Sequence, residues 1–333
     1  MKNISKMLFY IIMILGTFLT LSSETWLSMW IGLEMNLIAF IPILYKLKNL
    51  NTSESCMIYF LIQSLGSILM LVSILSNSLI MVSNTMIDLL LNSMLLFSMF
   101  IKLGVPPFHF WLPEILEKMN WTNCMIMMTW QKIAPLTILS FLVEKSSLIP
   151  IIIIMSTLVG AIGGLNQTSI RKIMGYSSIS HMGWMIACMK FSNEMWIMYL
   201  MIYSAILAML IYMFHSLSSF SINQFMMTSP SFSEKLSVII LFMSLGGLPP
   251  FLGFLPKWMV IQNMIMSNSY TTLMIMIMSI LITLFYYLRL VSTVLLLSNS
   301  SNKWSSNIKS NSNTLTTIIT INMILPVIST LSL

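Results

Sequence analysis

Eleven apolar windows, each able to cross a bilayer as a helix, follow one another with only short polar or Pro/Gly punctuation between them. They fall near 7–22, 25–45, 56–76, 86–102, 122–143, 148–166, 172–189, 195–215, 235–266 (interrupted), 271–297 and 314–333. Backbone in lipid must satisfy its own N–H and C=O groups, so a run of such windows is a run of helices. Eleven spans of about 20 residues and their loops use up a chain of 333 residues. A separate soluble catalytic domain has no room. With 57% hydrophobic and 8% charged residues, the chain cannot dress a water-soluble surface, which carries about 25% charge. The same numbers exclude disorder. Lys2 and Lys6 ahead of the first window mimic a secretory signal, but no A-x-A site follows, so the segment reads as a retained span. The expected fold is all-α and polytopic, with about 11 transmembrane helices in a single transmembrane domain over residues 1–333.

The distribution of positive charge tests that count. With eleven spans, one side receives Lys2, Lys6, Lys46, Lys48, Lys118, Arg171, Lys172, Lys235, Lys303 and Lys309, and the other only Lys145 and Lys190. A bias of this size is what the positive-inside rule requires, and adding or losing one internal span would scramble it. The N-terminus then lies on the inner side and the C-terminus on the outer. Four basic residues remain in or beside spans: Lys102, Lys132, Lys257 and Arg289.

Two stretches echo each other at an offset of 143 residues: Gly104 to Glu114 (GVPPFHFWLPE) and Gly247 to Lys257 (GLPPFLGFLPK). Proline removes a donor and clashes with the preceding turn, so each stretch must break or end a helix. Non-helical backbone at membrane depth survives only inside protein or beside a wet cavity. Paired interrupted helices mark bundles built from inverted repeats. The expectation is an antiporter-like inverted-repeat bundle with discontinuous helices, its repeat-like halves centred on breaks near 104–114 and 247–257. The first stretch also suits a helix end at the interface; the second has apolar sequence on both sides and favours a mid-membrane break.

Glu34 and Lys132 fall near the centres of their windows, Lys102 precedes the first break and Lys257 follows the second. A charge near the bilayer centre costs at least about 2.5–3.5 kcal/mol, and three lysines cannot all pair with one central glutamate. Burial and a neighbouring charge act in opposite senses on such groups, so a Glu–Lys pair joined to further lysines through water can trade protons near neutral pH. The bland alternative is a set of static ion pairs fixing helix register. His181, set among hydroxyls in Tyr176–Gly183 (YSSISHMG), suits proton passage by its intrinsic pKa and equally suits a satisfied buried histidine. The candidate proton relay is therefore Glu34, Lys102, Lys132, Lys257 and His181. Arg289, about two turns inside its span, is expected to snorkel toward the headgroups; Asp88, His109 and His215 lie near span ends.

Other chemistries leave no trace. Cys56, Cys124 and Cys188 share no CxxC spacing and read as small buried hydrophobes. The histidines lack a paired haem spacing, and neither GxGxxG after a strand nor GxxxxGK[ST] occurs. The net charge of +7 comes from scattered residues, which argues against nucleic acid. No cofactor or metal site is expected. The 35 methionines and 2 arginines among 16 basic residues point to an AT-rich organelle genome rather than to a mechanism.

Taken in order, Gly32-Leu33-Glu34-Met35-Asn36, Lys102-Leu103-Gly104 with Pro107 to Glu114, Thr129-Trp130-Gln131-Lys132-Ile133-Ala134-Pro135, Gly163 to Gln167, Arg171-Lys172 with Tyr176 to Trp184, and Gly253 to Trp258 form a set. Over nearly the whole chain this set resembles the antiporter-like membrane subunits of mitochondrial NADH–ubiquinone oxidoreductase (complex I). The methionine-rich, arginine-poor bias resembles an insect or other arthropod mitochondrial gene. The resemblance implies an eleven-helix form of a family that has fourteen helices in bacteria. It implies Glu34 and Lys102 as a coupled pair, Lys132 as the central connecting lysine and Lys257 as the lysine toward the outer exit. It further implies proton translocation in the mitochondrial inner membrane, N-terminus on the matrix side and C-terminus on the intermembrane-space side. NADH, flavin, iron–sulfur clusters and ubiquinone would be held by other subunits. The expected partners are those other membrane-arm subunits and membrane lipids, cardiolipin included. A standalone cation/proton antiporter and a non-pumping structural subunit of the membrane arm remain as alternatives.

Overall fold

The computed structural model describes residues 2–45, 49–79, 85–143, 146–191, 195–227 and 232–297, with residues 317, 319, 320 and 322 beside them. The expected span near 314–333 lies almost wholly outside the described residues, as do Lys46, Lys48, Lys145, Lys303, Lys309 and the side chain of Asp88. All named elements among the described residues are helices. The chain forms two compact units, Met1–Ile152 and Ile153–Leu333.

The first unit holds α1 (Lys2–Ser22), α2 (Trp26–Leu44), α3 (Leu50–Leu79), α4 (Thr85–Leu103), α5 (Trp111–Lys118), α6 (Trp121–Met128) and α7 (Trp130–Val143). Thr25 caps α2, its hydroxyl accepting from the Ser28 N–H at 3.4 Å, as an N-cap threonine should. Helices α1 and α2 meet through glycine. A Cβ on Gly32 would lie 2.6 Å from Thr20 Cγ2 and 2.8 Å from the Gly16 carbonyl oxygen, so only glycine permits this approach. Small-residue contacts of this kind replace the hydrophobic drive that lipid does not supply. The other faces of α1 and α3 expose large apolar side chains such as Met7, Phe18, Leu61 and Leu65, a surface suited to lipid or protein and not to water.

The window read as one span at 122–143 is two helices. They part at Thr129, which leaves the helical line with φ −117° and ψ −73°. Pro135 lacks the N–H that would reach the Gln131 carbonyl, so the first turn of α7 is loosened from both ends. Lys132 sits in that turn.

The second unit follows α8 (Ile149–Gly163), which straddles the boundary, with α9 (Ile170–Phe191), α10 (Met195–Ser216), α11 (Ile222–Met227), α12 (Phe232–Gly246), α13 (Phe254–Met266) and α14 (Tyr270–Leu297). Helix α9 is rich in serine yet buries every residue from Ser177 to Met189. Protein surrounds it, so its serine hydroxyls need no lipid-compatible face. Ser177, Ser178 and Ser180 each donate to the carbonyl three residues back.

Among the described residues, six helices or helix pairs are long and apolar enough to cross a bilayer: Ile4–Ser22, Trp26–Leu44, Leu50–Asn77, Trp121–Val143, Met195–Ser216 and Tyr270–Thr293. Shorter apolar helices, Leu90–Leu103 and Ile149–Gly163, accompany them. The molecule is an all-α polytopic membrane protein with discontinuous helices.

Candidate functional site

The sequence echo is also an echo of backbone. Gly104 and Gly247 both adopt positive φ, +70° and +77°, and the Pro106–Pro107 and Pro249–Pro250 peptides are both cis. At the end of α4, Val105 N–H donates to the Phe100 carbonyl at 3.0 Å and Gly104 N–H to the Ile101 carbonyl at 3.3 Å. At the end of α12, Leu248 N–H reaches Met243 at 3.3 Å and Gly247 N–H reaches Ser244 at 3.0 Å. Both are Schellman caps with glycine in the left-handed region. The helices end by the same device, and each break is followed by a new helix, α5 or α13.

In the first unit, Lys102 and Lys132 line one cavity of ≈ 20 Å³ together with Asn36, Tyr59, Gln63, Gln131 and Trp111. That volume has room for about one water, and the lining supplies the several polar partners a buried water needs. Both lysines are buried. Lys102 packs on Gly66, where a Cβ would come within 3.0 Å of the lysine Cγ. Glu34 is close enough to act electrostatically on Lys102 and on the Tyr59 hydroxyl. Among the described residues the Glu34 and Lys102 side chains do not meet as a direct ion pair, and Glu34 Oε1 is buried without a hydrogen-bond partner. The amides around them are tied together. Gln131 Nε2 donates to Asn36 Oδ1 at 3.0 Å, and Gln63 Nε2 to the Lys102 carbonyl at 3.0 Å. Tyr59 is fixed between Phe40 and Trp111, with ring centroids 5.2 and 6.3 Å away, and its hydroxyl points to Gln131 Oε1 at 3.4 Å.

In the second unit, Lys257 is buried in the first turn of α13 and points back across the break. Its ammonium donates to the Leu245 carbonyl at 3.1 Å and the Gly246 carbonyl at 2.8 Å. Among the described residues it makes no ion pair with a carboxylate. His181, on α9, is buried, with Nδ1 hydrogen-bonded to the Tyr199 hydroxyl at 2.8 Å and its ring 4.8 Å from that of Tyr203. A cavity of ≈ 10 Å³ joins His181, Tyr199 and Tyr203 to Ser244, Leu245, Gly253 and Pro256 around the break.

The structure thus gathers Lys102 and Lys132 at one cavity with the Glu34 charge nearby, and sets His181 beside the second break that Lys257 bridges. Arg289, expected at the headgroups, instead donates to the Leu165 and Gln167 carbonyls. It is a clamp on the turn between α8 and α9. Gln63 and Tyr59 were missed by the sequence reading. The available signal was a lone amide and a lone phenol inside the apolar window of α3, which is costly unless paired. Among the described residues, no three His, Cys, Asp or Glu side chains gather as a metal site requires.

Two helices broken by one shared cap, the first beside buried Lys102 and Lys132 and the second beside buried Lys257, define a multi-pass membrane protein of the antiporter-like class. Residues 23–283 match the family model for the transmembrane region of NADH:quinone oxidoreductase and Mrp antiporters. NADH-ubiquinone oxidoreductase chain 2 of Locusta migratoria is 42% identical over 93% of this chain and 91% of its own length. The same chain of Anopheles gambiae is 44% identical over 91% of this chain and 90% of its own. In shape, the molecule matches a chain of respiratory complex I from Thermus thermophilus with a TM-score of 0.84 at 18% identity, covering 98% of this chain and 79% of that one. The chain belongs to the NADH-ubiquinone oxidoreductase chain 2 family, as a multi-pass inner-membrane protein.

Proposed function

We propose that this chain is a proton-translocating membrane-arm subunit of complex I. It couples NADH-to-ubiquinone electron transfer, carried out by other subunits, to proton movement through Glu34, Lys102, Lys132, His181 and Lys257. The supporting observation is the first-unit cavity: two buried lysines line a water-sized polar space, and Glu34 acts on Lys102 without, among the described residues, closing into an ion pair. A static pair would need the opposite, a short bridge with every lone pair satisfied. On this reading a water held in that space would pass the proton between the two amines. NADH, flavin, iron–sulfur clusters and ubiquinone belong to other subunits of the complex, which are also this chain's protein partners. Lipid covers its remaining apolar faces, with the N-terminus toward the matrix and the C-terminus toward the intermembrane space. We also read the two breaks as the centres of two repeat-like halves of one transmembrane domain.

The test is Lys132→Met in the assembled complex, reconstituted into vesicles. Methionine keeps the length and apolar stem but holds no proton. The expected result is loss of proton translocation by this subunit, with the protons moved per NADH oxidised falling below the parent value. An unchanged ratio and unchanged turnover would overturn the relay.

A further inference from the structure

The Schellman caps leave the same gap in both halves. Each satisfies the carbonyls at Phe100 and Ile101, or at Met243 and Ser244, but not those one and two residues further on. The last carbonyls of a helix have no partner of their own and carry the negative end of its dipole. Inside a membrane protein, each must find a donor from elsewhere. The 143-residue offset carries Lys102 onto Leu245. The carbonyl of Lys102 takes its donor from Gln63 Nε2 at 3.0 Å. The carbonyl of Leu245, with its neighbour Gly246, takes its donors from Lys257 Nζ at 3.1 and 2.8 Å. The echo is equally plain in what differs: the offset places Glu114 where the second half has Lys257.

We propose that Gln63 is a positioning residue for the relay, doing at the broken end of α4 what Lys257 does at the broken end of α12. A neutral amide from α3 holds the first break, so the Lys102 side chain is free for proton exchange. In the second half Lys257 is the donor to those carbonyls, and one lysine both caps the break and carries the proton. Lys257 therefore has two roles and Lys102 one. Gln63 also fixes where the Lys102 side chain starts, because the carbonyl it holds belongs to that residue. This inference rests on the relay reading of Lys102 and Lys257.

The experiment uses the whole complex, with every activity expressed per assembled complex. Gln63→Leu, which removes the N–H, is expected to lower the protons moved per NADH oxidised. Gln63→His, which keeps a ring N–H at similar reach, is expected to restore them. A residue that merely filled space would change the amount assembled but not this ratio. Equal ratios for Gln63→Leu and the parent would overturn the proposal. Lys257 supplies the second arm, which reads assembly itself. Lys257→Gln retains a donor, so it is expected to assemble to a level at least about threefold above Lys257→Met, which has none, a factor worth roughly 0.65 kcal/mol at RT ≈ 0.59 kcal/mol. Equal assembly of the two would overturn the cap at the second break. If Lys257→Gln assembles and moves protons at the parental ratio, the relay role of Lys257 fails while its role as a cap stands.

Discussion

At Gly247 the backbone and a neighbouring lysine make separate demands. Its φ of +77° lies in the left-handed region, and a Cβ there would come within 2.7 Å of Lys257 Cδ and 2.9 Å of its Nζ. Gly104 shares the conformation at φ +70°, but its nearest neighbour would be the Leu112 Cδ1 methyl at 3.1 Å. Alanine in the left-handed region costs about 1–2 kcal/mol. Gly104→Ala should therefore lower thermal stability by that amount and leave the proton-to-electron ratio intact. Gly247→Ala should lower both, since it pushes the Lys257 ammonium off its carbonyls; thermal melting and proton counting on the same preparation would separate the two. Gln131 offers a residue-scale test in the first unit. Replacing it with leucine leaves the Asn36 carboxamide oxygen without its 3.0 Å donor, which should cost about 1–3 kcal/mol, the usual penalty for orphaning a buried polar group. A melting curve unchanged by Gln131→Leu would contradict that.

At two helix pairs of this protein, glycine sets how closely the helices approach. Gly32 of α2 lets Thr20 and the Gly16 carbonyl approach, and Gly183 of α9 sits where a Cβ would lie 2.4 Å from Ser156 Oγ of α8. Gly32→Val should force α1 and α2 apart and destabilise the first unit by about 1–3 kcal/mol, the range for overpacking. The check is the temperature at which the subunit is lost from the solubilised complex, which should fall. The breaks were legible in sequence because proline and glycine act locally, and the 143-residue echo located both. The interruption at Thr129 was not. Met128-Thr129-Trp130 carries no helix breaker of its own, and the nearest, Pro135, frees the Gln131 carbonyl two residues past the point where the helix parts. Helix α9 shows what packing adds: its serines lie among residues buried without a gap from Ser177 to Met189, so they face protein rather than lipid.

At the scale of the whole molecule, the asymmetry of positive charge makes a prediction about sidedness. Cysteine placed at Lys118 should react with a membrane-impermeant maleimide only from the matrix side, and cysteine at Lys190 only from the opposite side. The native Cys56, Cys124 and Cys188 are buried, so background labelling should be low; labelling of both positions from one side would contradict the orientation. Much of this architecture was readable beforehand because hydrocarbon is an unforgiving solvent. Span lengths follow from its thickness, charge placement from the cost of desolvation, and the breaks from proline's missing donor, all of which are written residue by residue. Glu34, Lys102, Lys132 and Lys257 stood out for the same reason, as charges where charge is expensive. What each of them touches could not be read this way. That Lys102 and Lys132 share a cavity, that Lys257 answers two open carbonyls of α12, and that Gln63 answers the Lys102 carbonyl of α4 depend on contacts between residues 11 to 39 positions apart in sequence. Sequence determined that these groups are buried and that two helices are broken; only tertiary packing decided which donor reaches which carbonyl, because a hydrogen bond is fixed by ångström-scale distance and direction that no local pattern specifies.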